Sequence, residues 1–151
     1  MFKKNKYQVC RKIISQELAE FLFNYLRMKK QTFYSLKRVG IDNKLLGFDG
    51  DDQAPGTYSC YSDIAMETLL AVTNEILEKK TKLKLSPTYS YTRLYKNGDI
   101  LKKHKDRFSC EISGTLNLGG DMWPIFLQDT SKKKIKISLN PGDALLYSGS
   151  I

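Results

Sequence analysis

From Lys84 onward the sequence alternates short apolar and polar runs with turn residues, and this pattern limits the possible folds more than any other feature of the chain. Successive side chains on a strand face opposite ways, so such runs suit half-buried strands. The pattern predicts strands near residues 88–96, 100–106, 111–118, 123–128, 134–139 and 143–148. Gly119-Gly120-Asp121, Asp129-Thr130-Ser131 and Asn140-Pro141-Gly142 supply turns between them. Residues 5–14 suit an earlier strand, and two helical patterns follow it. The first has Ser15 as its cap and Glu17 in its first turn. It carries Leu18, Phe21, Leu22, Tyr25 and Leu26 at helical spacing, and ends near Lys29 or Lys30. The second starts at Ser62 or Asp63. Ala65, Leu69, Val72 and Ile76 line one face, Leu70 and Leu77 widen it, and the basic run Lys79-Lys80-Thr81-Lys82 closes it. Between the helices, residues 31–61 are rich in glycine and aspartate and read as loop. Asp49, Asp51 and Asp52 lack the spacing and closing glutamate of a calcium loop, so they read as a polar turn. Two helices followed by a run of antiparallel strands suit an α+β domain with a jelly-roll-like double sheet.

A chain of 151 residues is long enough for one domain with a real core. Its hydrophobic content of 41% excludes a disordered chain. The net charge of +9 suits an anionic partner, such as nucleic acid, an acidic protein or a small polyanion, and equally suits plain solubility. Cys10, Cys60 and Cys110 form an odd, widely spaced set, which argues against a disulfide framework and for a reducing compartment. The basic N-terminus is not followed by an apolar run, and no run approaches membrane-spanning length. These features together point to the cytoplasm.

The chain has one histidine, His104, with an aspartate, Asp106, two positions on. In a strand those two side chains share a face. An extended His104-x-Asp106 then offers two thirds of the 2-His-1-carboxylate set that holds non-haem Fe(II). Lys102, Lys103, Lys105 and Arg107 surround the pair, and such a charge run is the usual mark of a solvated face. A zinc site from His104 and Cys110 would need unusual spacing and further ligands.

The flanks add to the pair. Tyr95-Lys96-Asn97-Gly98-Asp99-Ile100 precedes it, a glycine-ended strand follows at 111–121, and Pro141-Gly142-Asp143 opens a late apolar strand. With these motifs, over roughly residues 87–151, the sequence resembles the Fe(II)/2-oxoglutarate-dependent dioxygenases, most closely their prolyl-hydroxylase-like branch. The resemblance implies a double-stranded β-helix with the N-terminal helices packed on its larger sheet. It implies that His104 and Asp106 bind Fe(II), that 2-oxoglutarate is the cosubstrate, and that ascorbate is a further cofactor. It implies that Tyr95 lines the cosubstrate pocket and donates its hydroxyl, and that Thr115 lies near the distal carboxylate of 2-oxoglutarate. Arg93 shares the Tyr95 face, within reach of an anionic group, and Trp123, the only tryptophan, reads as a core or pocket-wall residue.

The resemblance also implies a second iron histidine shortly after the Pro141-Gly142-Asp143 strand, and then a basic residue for the distal carboxylate. Neither occurs up to Ile151. The expectation is therefore a fragment, a site completed from elsewhere, or a chain inactive as written. Leu101 stands where members acting on collagen-like peptides often carry an aromatic residue, so a proline substrate does not follow. The leading expectation is an oxygenase acting on a protein or peptide, ahead of a nucleic-acid demethylase. The alternative is a non-catalytic jelly-roll binding module with a degenerate metal pair. Missing strands would leave an open sheet edge, which favours self-association.

Overall fold

Ser15 starts the long helix as its position suggests, with its Oγ accepting a hydrogen bond from the Leu18 N–H at 3.2 Å. In the computed structural model, which describes residues 2–149, the chain runs through α1 (Phe2–Asn5), β1 (Tyr7–Cys10) and α2 (Gln16–Arg38). It continues through β2 (Phe48–Asp49), β3 (Tyr58–Tyr61), α3 (Ile64–Thr81) and β4 (Tyr91–Leu94). Last come β5 (Ile112–Leu116), β6 (Ile125–Gln128), β7 (Lys134–Ile137) and β8 (Ala144–Ser148). This is a mixed α+β chain whose described strands form three small antiparallel sheets, ordered β1-β8-β5, β2-β3-β4 and β6-β7.

Helix α2 runs about two turns past its expected end. Its buried residues are Ala19, Leu22, Leu26 and Phe33, whereas Phe21 is 67% exposed. Lys29 stands between Leu26 and Phe33 in that stripe, and its charge hides the continuing period in the sequence. The helix ends in a Schellman motif. Gly40, at φ 80°, donates to the Lys37 carbonyl at 3.1 Å, and Ile41 N–H donates to Leu36 at 3.0 Å. Helix α3 starts where expected, with Asp63 Oδ1 accepting from Ala65 N–H at 3.0 Å and Met66 N–H at 3.2 Å. It buries Met66, Leu69, Thr73 and Thr81, leaving Val72 61% exposed, so its buried face is rotated from the expected one.

The chain divides into two compact units. One comprises residues 24–72 and 87–104. Its sheet brings β3 between β2 and β4, with Tyr58 opposite Leu94 and Cys60 opposite Thr92. Phe33, Tyr58 and Cys60 form its buried cluster, joined by Tyr34, Leu46 and Leu94. Strands β2 and β3 lie in the stretch expected to be loop. The glycines there make close turns rather than slack: a Cβ on Gly50, at φ 71°, would lie 2.2 Å from the Ala54 carbonyl oxygen.

The other unit comprises residues 1–23, 73–86 and 105–151. Its three-stranded sheet has one core on each face. Ala144, Leu146 and Cys10 face Phe2, Ile13 and the α3 residue Leu77. Leu145, on the opposite face, packs with Ile137 and Leu139, and with Ile125, Leu127 and Ile135 of the β6-β7 hairpin. That two-faced burial explains the unbroken Ala144-Leu145-Leu146 run. The Pro141-Gly142-Asp143 turn is locked to the end of β1. Buried Asp143 accepts from Arg11 Nη1 at 2.7 Å, Lys12 N–H at 3.0 Å and Asn140 N–H at 3.0 Å. Burial pushes the Asp143 carboxyl up, but these donors outweigh it and hold the group below its ordinary value. Asp143→Ala should cost about 2 kcal/mol, the penalty of leaving two backbone N–H groups unsatisfied. Urea denaturation at neutral pH checks this, and a wild-type midpoint would refute it.

Candidate active site

The segment carrying His104 and Asp106 is irregular, not a strand: residues 95–107 have no ladder partner. The expected strand at 100–106 fails for a physical reason. Ile100 and Leu101 are exposed, as are Lys102, Lys103 and Lys105, so the stretch has no apolar face to bury. One of its backbone bonds is Lys102 N–H to the Gln53 carbonyl at 3.0 Å. The same-face argument for the pair therefore lapses, although two residues of chain still keep their Cα atoms within about 7 Å. His104 ends one unit, and Asp106 falls in the last segment of the other.

Half-buried His104 has its Nδ1 2.7 Å from the Lys102 carbonyl oxygen. A ring nitrogen facing a carbonyl carries a hydrogen, so Nδ1–H donates, and the neutral tautomer with this bond has its bare nitrogen at Nε2. That is the tautomer a metal ligand needs.

Asp106 is half-buried and tied to the far end of β8. Its N–H donates to the Gly149 carbonyl at 3.0 Å, while Gly149 N–H donates to Glu111 at 3.1 Å. Its side chain meets Tyr147 of β8, which the register sets opposite Ser113. Burial raises the Tyr147 phenol and its bond to Asp106 adds to that, whereas the Thr115 and Ser113 hydroxyls oppose it. Thr115 of β5, expected to be a cosubstrate residue, is paired with Leu145, two residues along from the Ser113–Tyr147 pair. Tyr147 drew no notice in the sequence. Its signal was available, because alternation places it on the Ser113 and Thr115 side of the paired strands.

In the other unit, Arg93 of β4 is mostly buried, its side chain 13% exposed. Its Nη2 lies 2.7 Å from Asp51 Oδ2 and 3.0 Å from Gln53 Oε1, and its guanidinium sits 4.6 Å over the Tyr91 ring. The anionic group it reaches is therefore the chain's own Asp51, from the aspartate-rich turn. Burial pushes the Asp51 carboxyl up, but bonds from Tyr91, Ala54 N–H and Arg93 hold it at about 2. Burial also raises the Tyr95 phenol, and a hydrogen bond from Arg93 opposes that. Trp123 is 51% exposed in the irregular stretch before β6, so it is not a core residue.

Fe(II) suits an imidazole nitrogen and a carboxylate oxygen, so by donor type His104 and Asp106 fit the metal. Among the described residues, no three histidine, cysteine, aspartate or glutamate side chains gather closely enough to hold a metal ion. Ser150 and Ile151, the end of the stretch carrying the resemblance, lie outside the described residues. No described helix is long and apolar enough to cross a membrane.

No protein-family model and no curated protein matches the sequence. A crystal structure of a prolyl-4-hydroxylase from Pseudomonas putida matches the fold, with a TM-score of 0.67 and 11% sequence identity. The match covers 99% of this chain and 83% of that one. At so low an identity the likeness speaks for the fold alone: this chain is folded like a bacterial prolyl-4-hydroxylase, in keeping with the motifs of residues 87–151.

Proposed function

We propose that the protein is an Fe(II)- and 2-oxoglutarate-dependent oxygenase of double-stranded β-helix type, hydroxylating a side chain of a protein or peptide. The observation that carries this reading is the prolyl-4-hydroxylase-like fold in a chain whose lone histidine stands in a His-x-Asp motif. Dioxygen would be the oxidant, activated with bound iron and 2-oxoglutarate, with succinate and carbon dioxide as coproducts. The chain's own contributions are separate. His104 offers Nε2 while the Lys102 carbonyl holds its Nδ1 proton. Asp106 offers a carboxylate fixed at the backbone by Gly149. Tyr95 would offer its hydroxyl as a donor to a carboxylate of 2-oxoglutarate.

The second reading, a binding module without turnover, draws on the lack of a three-ligand group among the described residues. Mn(II) titration calorimetry separates the first step. Wild type should bind Mn(II), and His104→Ala and Asp106→Ala should each bind at least about tenfold more weakly. Equal affinity in all three proteins would sink the metal site and leave the binding module. Succinate release from 2-oxoglutarate then tests turnover.

A further inference from the structure

We propose that the outer face of the β6-β7 hairpin is a docking surface for single-stranded nucleic acid, with lysines on the phosphates and a base stacked on Phe126. The surface lies within one compact unit and does not depend on the iron site. The hairpin is amphipathic. Ile125, Leu127, Ile135 and Ile137 turn one face to the core around Leu145. Alternation turns Phe126, Gln128, Lys134 and Lys136 the other way, and the register sets Phe126 opposite Lys136 and Gln128 opposite Lys134. That outer face is open to water, and Phe126 is 49% exposed.

Lys132 and Lys133, also exposed, add two cations at the turn. The one acid between Ile125 and Ile137 is Asp129, and the turn occupies it: its Oδ1 accepts from Ser131 N–H at 2.9 Å and from Lys133 N–H at 2.8 Å. Among the described residues, none of the four ammonium groups is paired with a carboxylate, whereas Arg11, Lys29, Lys37 and Arg93 each are. The hairpin thus holds four cations close together, and a polyanion relieves their repulsion. Lys134 and Lys136 stand about 7 Å apart along the strand, which suits a chain of repeating charges. Lysine is a point charge and reads no base edge, so these contacts fall on the backbone of the strand. The Lys134 Nζ lies 4.2 Å from the centre of the Phe126 ring. Cation and aromatic ring therefore stand together, which is the combination that grips single strands: charge for the phosphates and a ring face for a base. In the complex a base takes the place of the ammonium on the ring, and Lys134 turns to a phosphate. A duplex keeps its bases stacked, so Phe126 favours the single strand. One phenylalanine offers little apolar area to a membrane, where binding scales with that area.

The test is fluorescence anisotropy of a short labelled single-stranded oligonucleotide with the whole chain, over a range of salt, beside the matching duplex and phosphatidylserine vesicles. Affinity for the single strand should fall with salt at a log–log slope of about −3, from about 0.7 for each of four phosphates. Lys134→Ala with Lys136→Ala should flatten that slope by about 1.4. Phe126→Ala should weaken single-strand binding about tenfold and leave the duplex unaffected. All three side chains face outward, so thermal melting of these variants should stay near wild type. Lys79→Ala is the control, at a 77% exposed lysine on α3, and should leave binding unchanged. No binding by wild type overturns the proposal, as does a slope unchanged in the double lysine variant. A loss in Lys79→Ala equal to that in the hairpin variants also overturns it, because the charge is then not local. Phe126→Ala that binds the single strand as wild type does overturns the stacking and with it the choice of a single strand. Tighter binding to the vesicles than to the oligonucleotide, lost in the lysine variant, overturns the proposal in favour of an anionic membrane.

Discussion

Asp63→Ala should cost the fold about 4 kcal/mol, because it breaks a buried ion pair and leaves a lysine behind. Asp63 pairs with Lys29, and the two side chains are only 2% and 11% exposed. The same carboxylate caps α3 through Ala65 and Met66 N–H, and accepts the Tyr25 hydroxyl at 2.8 Å. Alanine removes all of these partners while the Lys29 ammonium stays out of water. Lys29→Met combined with Asp63→Asn should recover part of the loss, since no unpaired charge then remains. Urea denaturation measures each variant, and a cost below about 1 kcal/mol for Asp63→Ala would refute the buried-pair argument.

The same pair sets an acid limit on stability. Burial pushes the Asp63 carboxyl up, but hydrogen bonds from Lys29, Tyr25 and Met66 N–H prevail and hold it below its ordinary value. Its folded value is thus depressed, so its stabilisation is complete above the unfolded value of about 3.9 and is lost as pH falls through the folded one. Asp51, held at about 2, adds to the trend in the same direction. Wild type should therefore lose stability below about pH 4 more steeply than Asp63→Ala.

How much of this was legible depended on whether a segment's pattern reflected its own burial. Strands β5 to β8 fall within the expected ranges because each has a face against a core. The 100–106 stretch alternates apolar and charged residues poorly, and its geometry is set by contacts such as Lys102 with Gln53, nearly fifty residues away in the chain, which local pattern cannot reveal. Strand β3 was hidden differently. Tyr58, Ser59 and Cys60 are all buried, so no alternation marks them, and the nearby glycines suggested slack. The site residues divide along the same line. His104 and Asp106 were visible as a spacing, whereas the pairing of Tyr147 with Ser113 needs the strand register as well as the alternation. The partner of Arg93 was not legible in the sequence, because its counter-ion, Asp51, is forty-two residues away.

Gly149→Ala should both loosen the fold and weaken metal binding through Asp106 if the proposed oxygenase site holds, because Gly149 lies where the Asp106 backbone is held. A Cβ there would sit 2.1 Å from the Cys110 carbonyl oxygen and 3.1 Å from the Asp106 Cβ. The first distance is far inside contact, and the obstacle is backbone, which cannot rotate aside as a side chain can. Either the end of β8 or the 106–111 segment must move. That movement stretches the bonds from Gly149 N–H to Glu111 and from Asp106 N–H to Gly149. Overpacking of this kind costs about 3 kcal/mol. The accompanying shift displaces Asp106, whose N–H is bonded to Gly149, so Mn(II) affinity should fall by about tenfold or more. Urea denaturation and Mn(II) calorimetry on the one variant read the two effects separately. Loss of stability with undiminished affinity would confine Gly149 to the fold. Wild-type behaviour in both would mean that the close approach of Gly149 to Cys110 does not hold in solution.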